Sequence, residues 1–138
     1  MNKKILDLIS SAKIGHLATA SSSLQPYLTP VVFVIEQESI FIPLDDKPKT
    51  TTIKQLKRVK NITENPRVSF LVDHYEEHWK NLWFVMLIGH ATLLYQKGKF
   101  GNLYIKISID KTVYWKFRQS SKNGSIYKRN RMISSHIV

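Results

Sequence analysis

The sequence predicts a mainly β protein with short helices: six strands in an antiparallel barrel, with one helix leading and a second inserted between the third and fourth strands. Three observations predict it. Six runs rich in β-branched and aromatic residues recur along the 138 residues. Most are joined by short turns, which suits antiparallel neighbours. One long run, "WFVMLIGHATLLY" (Trp83–Tyr95), can coil and serve two sheet surfaces.

In chain order, Lys3 to Ser11 carries Ile5, Leu8 and Ile9 at the spacing of a short amphipathic helix. "IGHLATAS" (Ile14–Ser21) reads as the first strand and Ser21–Pro26 as a turn. "YLTPVVFVIE" (Tyr27–Glu36) is the second strand, and Pro30 within it marks an edge or a bulge. Gln37-Glu38 is a tight hairpin connection into "SIFIPL" (Ser39–Leu44). Ile53, Leu56, Val59 and Ile62 then recur every third residue, among Lys54, Lys57, Arg58 and Lys60, and "ENP" (Glu64–Pro66) ends that helix. "RVSFLVD" (Arg67–Asp73) is the fourth strand, and "HYEEHWKNL" (His74–Leu82) is a loop or a single helical turn. In the fifth strand, Trp83–Tyr95, Gly89 marks a bulge. "LYIKISIDKTVYWKF" (Leu103–Phe117) is the sixth, bent near Asp110. Residues 1–118 are expected to form the barrel domain and residues 119–138 a basic tail without regular elements.

Composition narrows the chemistry. A chain of this length buries a core without covalent staples. It has no cysteine, which excludes disulfide frameworks, thiol catalysis and cysteine zinc motifs. The first residues carry two lysines without the long apolar run of a signal peptide, so the expected location is cytoplasmic, with no membrane partner. The net charge of +11 is uneven. Residues 1–95 hold 11 Lys/Arg against 9 Asp/Glu, whereas residues 96–138 hold 10 against Asp110 alone. Such an excess favours polyanions, or forms a solvated basic face.

Candidate sites follow from residue types and spacing. His74-Tyr-Glu-Glu-His78 fits H-x-x-E-H, but the segment is too short for the helix that pattern needs and lacks a third ligand, so no metal is expected. His16 and His90 read as packing residues of strands. No G-x-G-x-x-G or Walker loop occurs. Tyr75, Trp79 and Trp83 recur four apart and suit a subunit interface, an aromatic wall for a flat ring, or both. "DDKPKTTTIKQLKRVKNI" (Asp45–Ile62) crowds Lys47, Lys49, Lys54 and Thr50–Thr52 at a helix mouth. Cations there oppose the helix dipole unless an anion occupies the site, so a phosphate seat is one reading. The other makes Thr50 an ordinary N-cap with solvated lysines.

"GHLAT", "DDKPK", "NITENPRVS" and "VDHYEEHW" together resemble the pyridoxamine 5′-phosphate oxidase-like superfamily, and within it the deazaflavin-dependent oxidoreductase-type branch, over about residues 5–95. The resemblance implies a split β-barrel of the FMN-binding type, a homodimer with cofactor at the interface, and hydride transfer to or from a small-molecule substrate. The cofactor it implies is FMN or the deazaflavin coenzyme F-420, whose polyanionic tail suits a basic protein. By the same resemblance, Lys47, Lys49 and Thr50 hold the cofactor phosphate, and on the charge reading above Lys54 adds to them. Pro30, Val31 and Val32 border the ring, Phe41, Ile42 and Pro43 adjoin it, and Trp79 and Trp83 approach from the partner subunit. After Tyr95 the chain departs from its relatives: only "QKGKFGN" stands where they carry a helix, though Trp115 still suits their final strand. The alternative is a non-enzymatic binder of nucleic acid or another polyanion, with Tyr104, Tyr114, Trp115 and Phe117 interleaved among Lys106, Lys111, Lys116 and Arg118. Strand alternation accounts for most of that pattern, so nucleic acid is the less favoured partner.

Overall fold

Helix α1 (Lys3–Ser10) starts where the Asn2 side chain accepts from the Ile5 N–H at 3.0 Å, and it buries Ile5 and Ile9. The computed structural model describes residues 1–44, 56–77, 79–98, 101–122, 125–129 and 132–135. After α1 come β1 (Ile14–Ala20), β2 (Pro26–Val32), β3 (Val34–Glu36) and β4 (Ser39–Pro43). Helix α2 (Lys57–Glu64) precedes β5 (Arg67–His74), β6 (Trp83–Gly98) and β7 (Gly101–Lys116). The chain then forms β8 (Arg118–Lys122), β9 (Ser125–Arg129) and β10 (Met132–Ser135), in a stretch where the sequence predicts no regular element.

The main sheet is antiparallel and runs β2-β1-β5-β6-β7-β4-β3, with β10 also paired to β7. β2 and β3 stand at opposite ends of that path, yet only Phe33 separates them in sequence. The sheet must therefore curl until its ends meet, which makes a barrel with a seam. This corrects the predicted strand count, because the run Tyr27–Glu36 is two strands and the path has seven. The physical reason is Phe33, which turns into the core and sets its ring edge-on to Phe70 at 5.0 Å between centroids. One continuous run thereby serves both ends of the sheet.

Alternation fills the interior. Leu17, Ile40, Ile42, Phe70, Val72, Val85, Leu87, Ile105 and Ile107 are buried, and each is worth about 1.5–3 kcal/mol of transfer free energy. Helix α2 lies against β1 and β6 with Val59 and Ile62 buried, as the three-residue stripe predicts. Between them, Asn61 is fully buried and donates from Nδ2 to Thr19 Oγ1 at 3.0 Å, tying helix to sheet. Gln37 and Glu38 both have positive φ, as a two-residue hairpin requires, and Glu36 pairs with Ser39 across them.

The bulge expected at Gly89 is present. Ile88 faces Lys111 and Gly89 faces Ile109, which leaves Asp110 as the extra residue. A Cβ on Gly89 would lie 1.9 Å from the Ser108 carbonyl oxygen. The strands approach here so closely that glycine is required.

Candidate functional site

Across the seam, β2 and β4 are in contact. Pro30, Val31 and Val32 lie on β2, and Phe41, Ile42 and Pro43 lie on β4. Their side chains divide between the two faces. Val31 and Ile42 point into the core, Pro30 and Val32 are exposed, and Phe41 and Pro43 are half-buried. Only the backbones of Val31 and Ile42 can therefore border a ligand outside the barrel. Phe41 meets Tyr104 edge-on at 6.4 Å, and Lys106 Nζ lies 6.0 Å from its ring centroid.

Lys47, Lys49, Thr50 and Lys54 lie outside the described residues. Helix α2 itself begins at Lys57, because Leu56 is extended (φ −61°, ψ 132°). Leu56 stands at its N-cap and supplies no side-chain acceptor. The mouth of this helix carries a residue that the sequence reading passed over. Arg58, in its first turn, is half-buried, and its buried Nε finds no hydrogen-bond partner among the described residues. Burial pushes the guanidinium below its ordinary value, while the nearby Tyr27 phenol acts in the opposite direction. Tyr27 lies on β2, which touches α2. A cation held out of water without a full set of acceptors is the counterpart of an anion. Arg58 is disguised among solvated lysines, but it lies three and four residues before the buried pair Asn61 and Ile62. That spacing puts it on the buried side of the helix.

A cavity of about 560 Å³ opens beside this helix, lined by Val59, Lys60, Thr63 and Glu64 and by Leu93, Tyr95 and Leu103. The Leu103 carbonyl accepts from the Leu44 N–H at 2.9 Å, so the cavity adjoins the end of β4. Its volume is within the usual range for a small-molecule site.

Trp83 is 8% exposed, belongs to the core and stacks on His74 with centroids 6.3 Å apart. His74 Nε2 meets Glu76 Oε1 at 2.7 Å, and Asn81 Nδ2 donates to Glu76 Oε2 at 2.9 Å. Trp79 begins a 3-10 turn, Trp79–Asn81. No helix covers residues 74–77, and no group of three or more His, Asp or Glu side chains that could hold a metal occurs among the described residues. His90 Nδ1 contacts Asp110 Oδ2 at 2.5 Å, beside the bulge. Both line a cavity of about 430 Å³ with Arg67.

The aromatic half of the basic groove considered from sequence is absent. Tyr104, Tyr114 and Phe117 are buried, and Trp115 stacks on Phe84 with centroids 5.9 Å apart. Their alternation belongs to the barrel core.

The sheet also has an uncovered outer face. Ile14 lies opposite Val32, His16 opposite Pro30 and Leu71, and Ala18 opposite Leu28 and Ser69. Residues directly opposite share a face. Leu28 is 67% exposed, Val32 53% and Ile14 49%. Half-buried Leu71, Met86 and Ile88 continue the patch onto β5 and β6. Among the described residues, no helix is long and apolar enough to cross a membrane.

Fold and site together define the class: a split β-barrel whose seam lies near a helix mouth carrying a half-buried cation. Residues 2–99 match the family model of pyridoxamine 5′-phosphate oxidase, and the chain belongs to that family. No curated protein matches the sequence. Among solved structures, a conserved hypothetical protein from Mycobacterium tuberculosis is similar over 84% of this chain and 85% of its own, at 19% identity and TM-score 0.66. A FAD-binding protein from Mesorhizobium loti is similar over 81% and 92%, at 17% identity and TM-score 0.60. The heme storage protein HutZ from Vibrio cholerae is similar over 75% and 85%, at 16% identity and TM-score 0.55. At these identities the likeness is one of fold.

Proposed function

We infer that the protein binds a flavin-type cofactor by its phosphate near the mouth of α2, at an interface between two copies of the chain, and serves hydride transfer to or from a small molecule. The observation that carries this reading is Arg58, whose half-buried guanidinium lacks an Nε partner among the described residues at the start of a helix without a side-chain cap. A phosphate there would gain charge-assisted hydrogen bonds and a favourable helix dipole. Lys47, Lys49, Thr50 and Lys54 just precede that helix in sequence and would add charge and a hydroxyl donor. Pro30–Val32 and Phe41–Pro43 would flank the ring with backbone and apolar side chains, and Trp79 and Trp83 are assigned to its surroundings by family likeness. When bound, the cofactor supplies the redox chemistry, while the chain supplies placement and water exclusion. The net charge of +11 favours coenzyme F-420, with its polyanionic tail, over FMN.

Purified protein, once denatured, should release a flavin or deazaflavin identifiable by absorbance and mass. Release of haem, which the heme storage protein of the same fold makes a fair competitor, would replace this reading. The double variant Lys47→Ala/Lys49→Ala should fold normally yet bind the cofactor at least about tenfold more weakly, since a hydrogen bond to a charged group is worth about 1.5–3 kcal/mol. Unchanged affinity in a fluorescence titration would show that these lysines take no part.

The outer face of β2, β1, β5 and β6 supports the homodimer. An exposed apolar patch that continues over four strands marks an association surface. A two-fold interface presents every residue twice. Leu28→Asp should therefore bury two unpaired carboxylates per dimer and weaken self-association at least about tenfold. Sedimentation equilibrium reads this directly, and an unaltered oligomer would place the interface elsewhere.

A further inference from the structure

The outer face of the sheet carries polar chemistry that the cofactor reading does not use. Thr19 turns towards α2 to meet Asn61, so its neighbours Ala18 and Ala20 point to the other side of β1. There, with Pro26 and Ile88, they give the cavity of about 430 Å³ an apolar floor. Ionisable side chains from three strands line it too: Arg67 on β5, His90 on β6 and Asp110 on β7. Arg67 lies directly opposite His90 across the ladder, so the two share a face. Asp110 is the extra residue of the bulge, and bulges recur beside functional sites.

The three groups are unequally partnered. His90 Nδ1 meets Asp110 Oδ2 at 2.5 Å. An ionised carboxylate only accepts, so the proton of that contact is on Nδ1 and Nε2 is left for a ligand. As imidazolium, the ring donates from Nε2. Arg67 donates its backbone N–H to Asn65 Oδ1 at 3.2 Å, and its guanidinium has no partner among the described residues. The acid of this cluster is thus committed to His90. What faces the cavity is an arginine fork and an imidazole nitrogen above apolar side chains.

An anion with an apolar body fits that arrangement. A carboxylate matches the guanidinium fork with two parallel hydrogen bonds. A phosphate dianion sets more negative charge against Asp110 and leaves the floor uncovered. A metal ion lacks a third ligand, since no group of three or more His, Asp or Glu occurs among the described residues. The volume suits a small molecule.

We propose that this cavity binds a small organic carboxylic acid, its carboxylate held by Arg67 and by His90 Nε2 and its apolar body resting on Ala18, Ala20, Pro26 and Ile88. The site uses no residue of the flavin reading, so either can fail alone. Leu28 is not in its lining, so the test of self-association is separate as well.

Titration of the 15N-labelled full chain with sodium benzoate, followed by NMR beside a titration with inorganic phosphate, tests this. Saturable shifts should centre on the amides of Ser69, Gly89 and His90, and benzoate should bind more tightly than phosphate. Arg67→Met and His90→Leu should each weaken benzoate binding at least about tenfold and keep the parent melting temperature. Arg67→Lys should recover part of the loss, because it keeps the charge without the fork. Shifts that never saturate, variants that bind as well as the parent, or tighter binding of phosphate overturn the proposal. Shifts centred on Arg58 and the rest of α2 overturn it too, since benzoate would then occupy the phosphate seat.

Discussion

Arg58→Met should raise the melting temperature of the cofactor-free protein and weaken cofactor binding between about tenfold and a hundredfold. The two effects have one cause. In the free protein Arg58 is half-buried, its Nε has no partner among the described residues, and burial disfavours its charge. Replacing a half-buried cation whose Nε has no partner among the described residues by an apolar chain of similar length is expected to be neutral or stabilising. Methionine also matches arginine in helix propensity, so α2 loses nothing intrinsic. With a phosphate present the balance reverses, because a charge-assisted hydrogen bond worth about 1.5–3 kcal/mol is removed. Arg58→Lys should fall between, since it keeps the charge and loses the planar fork. Thermal melts with and without cofactor, paired with fluorescence titration, read both signs. A variant that is less stable and binds as well as the parent would make Arg58 a packing residue.

Gly89→Ala should cost about 3 kcal/mol or more of stability. The added Cβ would lie 1.9 Å from the Ser108 carbonyl oxygen and close to the Ile109 Cα, both backbone atoms. No rotamer change relieves that contact, so β6 and β7 must separate at the bulge. Overpacking alone costs about 1–3 kcal/mol, and broken ladder bonds in the longest strand pair add to it. Gly15 makes a useful contrast. There the Cβ would meet the tip of the Phe70 ring, a side chain, although one fully buried against Phe33. Urea unfolding of Gly89→Ala with an unchanged m-value gives the comparison. A loss under about 1 kcal/mol would mean that the bulge tolerates a side chain.

The sheet was legible because alternation reports burial directly. Leu17, Phe70, Val72, Val85 and Leu87 are core residues, and the strands carrying them fall where the pattern puts them. Gly89 could be read as a bulge because glycine in a long strand has few other reasons. The break at Phe33 could not be read, since Val31, Phe33 and Ile35 continue the same two-residue period through it. Only the demand that one run reach both ends of the sheet reveals it. Arg58 was hidden for the opposite reason: its neighbours are charged too, and a hydrophobic count ignores which face a cation occupies. The aromatic groove around Tyr104 and Tyr114 failed because a binding surface and an alternating core share the same residue types.

The order of strands has a consequence for how the chain is made. β1 waits for β5, with His16 opposite Leu71, and β4 waits for β7, with Ser39 opposite Ser108. Pairings so distant in sequence carry a large loop-closure cost and form late. A growing chain therefore holds Ile40 and Ile42 without their neighbour until Tyr104–Ser108 have left the ribosome. At about 5–20 residues per second that is an interval of several seconds. Throughout it, a sticky unmatched edge depends on chaperones, or on the speed of translation, to stay solitary.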